Sequence, residues 1–199
     1  QPKMKEAAIK ATKKSFPEGI EPHGRDALRF TLLSLLTHGK DINFDLNKLR
    51  ASRNFCNKIW NAARFLSQEA AEGEVNTPIT RALSHQIHQL IIDTDKHLKD
   101  YRFDRYAQTL YEFFWHEFCD WHLEIAKVDT PTASRGAKMA QLYQVFNDIL
   151  VILHPALPFI TESLWEHSHP QSQCLAKTPS PKAEDFAQHQ EDLAMYEAL

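Results

Sequence analysis

The chain has 199 residues, 43% hydrophobic and 25% charged, with a formal net charge of -3; this is the balance of a globular protein with a sizeable core and excludes overall disorder. No apolar run reaches the roughly 18 residues of a membrane span, and the opening QPKMKEAAIKATKKSF has no secretion-signal core, so a soluble cytoplasmic protein without membrane contact is expected. Cys56, Cys119 and Cys174 form no framework spacing, which fits a reducing compartment without disulfides.

Residues 3 to 15 read as a short basic helix whose Met4, Ala7, Ala8, Ala11 and Phe16 are placed to dock loosely elsewhere. Starting on Gln1, the chain looks cut from a longer one. FPEGIEPHG is a connecting loop. DALRFTLLSLLTH, Asp26 to His38, reads as a helix with Asp26 favouring its N-terminus, Gly39 ending it, and Leu28, Leu32, Leu35 and Leu36 forming its buried face. After a loop carrying Ile42 and Phe44, Asp45 is placed to cap a long helix from Leu46 to about Ala71. Further helices are predicted near Thr80 to Leu98, with Leu83, Ile87, Leu90, Ile91 and Leu98 inward, and near Phe103 to Lys127, with Tyr106, Leu110, Phe113, Phe114, Phe118, Trp121 and Ile125 inward. Another runs from about Ala137 to Leu153 on Leu142, Tyr143, Phe146, Ile149, Leu150 and Leu153. HPALPF forces a break before the short closing helix ITESLWEH. Beyond Ser168 the chain is rich in Pro, Ser and Gln, with at most a short strand at Cys174 to Lys177, and helix resumes in EDFAQHQEDLAMYEAL. The fold class is therefore all-α: an up-and-down helical bundle with a small basic N-terminal helical subdomain.

The long helix contains RNFCNKIWNAARFL, Arg53 to Leu66. At 100° per residue, Phe55, Cys56, Ile59, Trp60, Ala62, Ala63 and Leu66 share one arc, and Arg53, Asn54, Asn57, Lys58, Asn61, Arg64 and Phe65 the other. Asn competes for nearby backbone groups and is a mediocre helix former, so Asn54, Asn57 and Asn61 need a reason. They either tie neighbouring helices together or face a polyanion that carries bases. Charge favours the second: up to Leu66 there are 13 Lys and Arg against 6 Asp and Glu, a balance of +7, and beyond it 10 against 20, or -10. Arg and Asn make forked contacts to phosphates and base edges, and Phe65 is the candidate to stack on an unpaired base or, equally, to touch an adjacent helix.

Other chemistry is thin. His116, Cys119 and His122 in WHEFCDWH are zinc-compatible residue types, but no fourth ligand is specified and the run is interleaved with aromatics, so no metal site is assigned. With 5 Gly there is no phosphate-cradling loop, and no nucleophile elbow or triad is proposed, so no catalytic residue is assigned. The alternatives are a helical protein-interaction scaffold and, more remotely, a small metalloenzyme.

GRDALRF (24–30), GKDINFD (39–45), RNFCNKIWNAARF (53–65), EFCDWHLE (117–124) and HPALPFITESLW (154–165) occur in this order. In them the chain resembles the anticodon-binding region of the valyl-tRNA synthetases, class I aminoacyl-tRNA synthetases, over residues 10 to 199. Arg25 departs from the usual Thr and His122 from the usual Tyr. The resemblance implies the non-catalytic tRNA-binding part of an ATP-dependent ligase that attaches valine to its tRNA. Residues 1–45 would link an absent catalytic fold to the bundle, residues 46–167 would form the anticodon-binding bundle, and residues 168–199 would lead to an absent C-terminal arm. Facing the anticodon stem and loop would be Arg53, Asn54, Asn57, Lys58, Asn61 and Arg64, helped by Lys40, Lys48 and Arg50, with Phe65 as stacking residue. The partners implied are valine-specific tRNA and the upstream catalytic and editing domains of the same polypeptide, which is expected to be monomeric. No cofactor is implied in this part; ATP and Mg²⁺ would serve the full-length enzyme.

Overall fold

The computed structural model describes residues 2–37, 39, 41–69, 77–128, 134–186 and 190–197. Among them there is helix and no strand. Helix α1 (Pro2–Ser15) stands apart, with its side chains from Met4 to Lys14 exposed. Helix α2 (Arg25–Leu35) packs against α3 (Leu46–Glu69) and α5 (Phe103–Glu112). Helix α4 (Pro78–Lys99) opens on a capping box: Thr77 accepts from the Thr80 N–H, and the Thr80 hydroxyl accepts from the Thr77 N–H at 2.9 Å. After α5 the chain continues without a break through a π-helical stretch, Phe113–His122, into α6 (Leu123–Ala126). Helix α7 (Arg135–Leu153) is capped by Ser134, and α8 (Pro158–Ser168) begins on its own proline. Single 3₁₀ turns at Leu175–Lys177 and Ala183–Asp185 lead to α9 (Gln190–Glu197).

Four expectations are corrected. The buried face of α2 is Asp26, Ala27, Phe30 and Thr31, whereas Leu28 and Leu32 are exposed and Leu36, just past its end, is exposed too. The cause is the crossing with α3: the Thr31 hydroxyl donates to Ser52 Oγ at 2.8 Å, and small residues at that point let the backbones approach and turn the leucines outward. The helix also stops at Leu35, short of Gly39, and its predicted last residue His38 lies outside the described residues. Trp121, expected inside, is 47% exposed, because a π-helix closes i to i+5 bonds and breaks the 3.6-residue pattern. Where a strand was expected at Cys174 to Lys177, Leu175–Lys177 form a 3₁₀ turn: the Glu162 carboxylate accepts from the N–H groups of Leu175 and Ala176, and the Leu175 side chain is buried in the core.

Segments distant in the chain meet in the fold. Asp26 does more than sit in the first turn of its own helix. Its carboxylate accepts from the backbone N–H groups of Phe159 and Ile160 at 3.3 and 2.6 Å and so caps α8, whose own N-cap residue Leu157 offers no side-chain bond. Arg29 donates to the Pro155 carbonyl at 3.2 Å, and the Arg25 guanidinium lies 5.2 Å from the centre of the Phe159 ring. Two of the motifs read in the sequence, GRDALRF and HPALPF, are thereby joined. Behind them, α9 lies along α4, held by a forked bond from Arg81 to Asp192 at 2.8 and 2.9 Å.

Candidate nucleic-acid interface

Helix α3 is fixed from behind. Asp45 caps it, accepting from the Asn47 N–H at 2.8 Å. Phe55, Ile59 and Leu66 are wholly buried, and Phe55 meets Phe30 of α2 at 4.9 Å, Tyr111 of α5 at 5.1 Å and Phe114 of the π stretch at 5.9 Å between ring centres. Phe114 in turn stacks on Phe118 and touches Phe146 of α7, so five helical segments share one aromatic cluster. Each such pair contributes about 1 kcal/mol beyond area burial. The helix cannot rotate without breaking several of them, and its outward face is therefore set.

That outward face carries Arg50, Arg53, Asn54, Asn57, Asn61 and Arg64, all exposed. They run along one stripe about 21 Å long at 1.5 Å per residue. None of these side chains makes a hydrogen bond or ion pair to another described residue. The reading of the Asn residues as ties between helices thus fails, and six polar groups point to solvent unused. Lys48, also exposed, lies off this stripe, on the side of α3 that faces α2 and α5, where it borders a cleft with Ser34, Asp104 and Gln108. Lys40 lies outside the described residues.

Two of the predicted residues sit differently from the rest. Lys58 is half-buried on the flank facing the π stretch, paired with Asp120 at 3.0 Å and 5.0 Å from the Trp115 ring centre. Its charge is shared with the bundle. Phe65, expected on the open arc, is half-buried at the edge of the core, with Lys127 and Arg135 at 5.3 and 6.0 Å from its ring centre. Arg135 also pairs with Glu69 at 2.8 Å. The ring thus lies in a cationic corner where the end of α3, the end of α6 and the start of α7 meet.

The freely exposed aromatic of α3 is Trp60, 48% exposed although the wheel put it on the apolar arc. It borders a cleft of about 320 Å³ between α3, α7 and α8, with Arg64, Tyr143, Phe146, Ser163 and His167 among its walls. Sequence reasoning missed Trp60, Lys127 and Arg135. Trp60 was detectable at i+3 from Asn57 and i−4 from Arg64; the two cations come from other helices and had no local signal.

The zinc-type trio is split by the π stretch. His116 is exposed and 3.4 Å from Asp120, whereas Cys119 and His122 are buried. Burial pushes the Cys119 thiol up to about 12 and the His122 imidazole down to about 4. His122 Nε2 donates to Gln86 Oε1 at 2.6 Å, and Gln86 Nε2 donates to Glu117 at 3.1 Å, a bridge that fastens α4 to the π stretch. These residues do structural work.

Fold and face define a class: an all-helical bundle that presents one cationic, amide-rich helix to solvent. The chain belongs to the anticodon-binding domain family of tRNA ligases, whose family model matches residues 80–198. It is 43% identical over its whole length to a valine–tRNA ligase of Stenotrophomonas maltophilia, of which it covers 23%. It is 44% identical over 83% of its length to that of Coxiella burnetii, of which it covers 19%. The chain thus spans about a fifth of the length of these relatives. In three dimensions it is similar to a chain from the ternary LeuRS–tRNA–LeuAMS complex of Agrobacterium radiobacter K84 agnB2, with a TM-score of 0.57 and 17% identity over 84% of this chain and 20% of that one. That likeness carries the helical fold.

Proposed function

We propose that this chain binds the anticodon arm of tRNA as the non-catalytic part of a valine–tRNA ligase. The observation that carries the reading is the α3 stripe, whose Arg and Asn side chains are exposed and unused within the molecule while the opposite face is locked in the aromatic cluster. Arg50, Arg53, Arg64 and Lys48 suit backbone phosphates, and Asn54, Asn57 and Asn61 suit base edges in a single-stranded loop. Lys40 and Lys58 add positive charge, Lys58 by exchanging Asp120 for a phosphate. Phe65 offers its open side to a base, with Lys127 and Arg135 beside it.

A protein-interaction scaffold would need an apolar seat ringed by the amides, and the outward centre of α3 is polar along its length. Activation of valine with ATP and Mg²⁺ would take place in the catalytic part of the same cytoplasmic, monomeric polypeptide, which would also carry an editing part. Titration with a labelled anticodon stem–loop of valine tRNA tests the reading. Binding should weaken as salt rises, and the double replacement R53A/R64A should weaken it more than Lys182→Ala; equal effects would refute the assignment.

A further inference from the structure

The cleft beside Trp60 is the second place on this face where an unpaired base could lodge. It lies on the α7 and α8 flank of the stripe, across α3 from Lys58 and Phe65. Its walls are aromatic and aliphatic: the Trp60 indole stands half-exposed at the mouth, and Phe146 and Leu164 are buried behind it. Polar groups converge on this apolar space. The Arg64 guanidinium and the hydroxyls of Tyr143 and Ser163 border it, and none of them makes a side-chain hydrogen bond to another described residue. An apolar cleft of this size with a few unused donors and acceptors is the form of a small-ligand pocket.

Position selects the ligand. Arg64 belongs both to the stripe and to the cleft wall, so a polyanion following α3 passes the cleft mouth with a phosphate at Arg64. Single-stranded RNA supplies what fits: a planar base that stacks on an aromatic ring and whose edge takes hydroxyl hydrogen bonds. We infer that the cleft receives one unstacked nucleotide of the bound RNA, its base against Trp60, its edge toward Tyr143 and Ser163, and its phosphate on Arg64. The inference rests on the tRNA-binding reading and adds a base-specific subsite to it.

The test uses the 199-residue chain and an anticodon stem–loop RNA carrying 2-aminopurine at successive loop positions. Stacking on Trp60 should quench one position strongly on binding. Trp60→Ala should abolish that quench and weaken binding about ten-fold, within the range one base–aromatic stack contributes. Trp60→Phe should keep most of both. Ser163→Trp, an exposed change that plugs the mouth without touching α3, should act like Trp60→Ala even if that variant folds poorly. RNA binding that is lost in R50A/R53A but untouched, in affinity and quench, by Trp60→Ala and Ser163→Trp overturns the subsite and leaves the tRNA reading standing. No binding by the wild-type chain overturns the reading beneath it.

Discussion

At the scale of single residues, the stripe and the core make different demands. Arg53 and Arg64 are exposed and unpaired within the described residues, so removing both should leave stability within about 0.5 kcal/mol. The slope of log affinity against log salt should meanwhile fall by roughly 0.7–0.9 for each phosphate that is no longer neutralised. His122 behaves oppositely. Its folded pKa, about 4, lies below the ordinary 6.5, so the unfolded chain binds more protons between those values. The stability it contributes is complete above about pH 6.5 and is lost as pH falls toward 4, with a total on the order of 3 kcal/mol. Urea unfolding followed between pH 7 and 4 should show this loss, and His122→Gln should flatten it. Thiol chemistry separates along the same line: Cys174 is exposed, whereas burial pushes Cys56 and Cys119 up to about 12. Ellman's reagent should titrate one fast thiol in the native chain, and Cys174→Ser should remove it.

At the scale of elements, the contact between α2 and α8 is the joint most open to attack. Asp26 supplies the cap that α8 lacks, so Asp26→Ala should cost about 1–2 kcal/mol, read as a lower urea midpoint, and should expose the region around Phe159 to faster hydrogen exchange. This joint was only half legible in the sequence. Asp26 announced a helix start, but that its carboxylate serves another helix is a long-range fact with no local signature. Helix α3 was read almost completely, because a side chain caps its start and its apolar residues hold the 3.6-residue period over six turns. The period failed where its assumption failed: at the α2 crossing, where Thr31, Ser52 and Ala27 replace large residues at the point of closest approach, and in the π stretch, where an altered bond pattern turns Trp121 outward. Trp60 and Phe65 exchanged exposure because both lie at the margins of their arcs, and there the neighbouring helices decide burial.

At the scale of the whole molecule, the division of charge gains a structural meaning. The basic first third ends in a helix whose free face is cationic, and the acidic remainder supplies the bundle behind it, including α4, the π stretch and α9. The resemblance read from five short motifs is matched by whole-length likeness to valine–tRNA ligases, and two of those motifs touch in the fold. The order of motifs pointed to the family; composition alone would have left a generic helical bundle. The central claim is that the α3 face reads an anticodon arm. It is tested most directly by measuring, at several salt concentrations, the affinity of the chain for the anticodon stem–loop of valine tRNA beside a stem–loop of identical stem and exchanged anticodon. The account predicts that both weaken in parallel as salt rises, that the valine loop binds about ten-fold or more tightly at every salt concentration, and that N57A/N61A erases this preference while retaining the salt slope. Equal affinity for the two loops, or binding indifferent to salt, would contradict it.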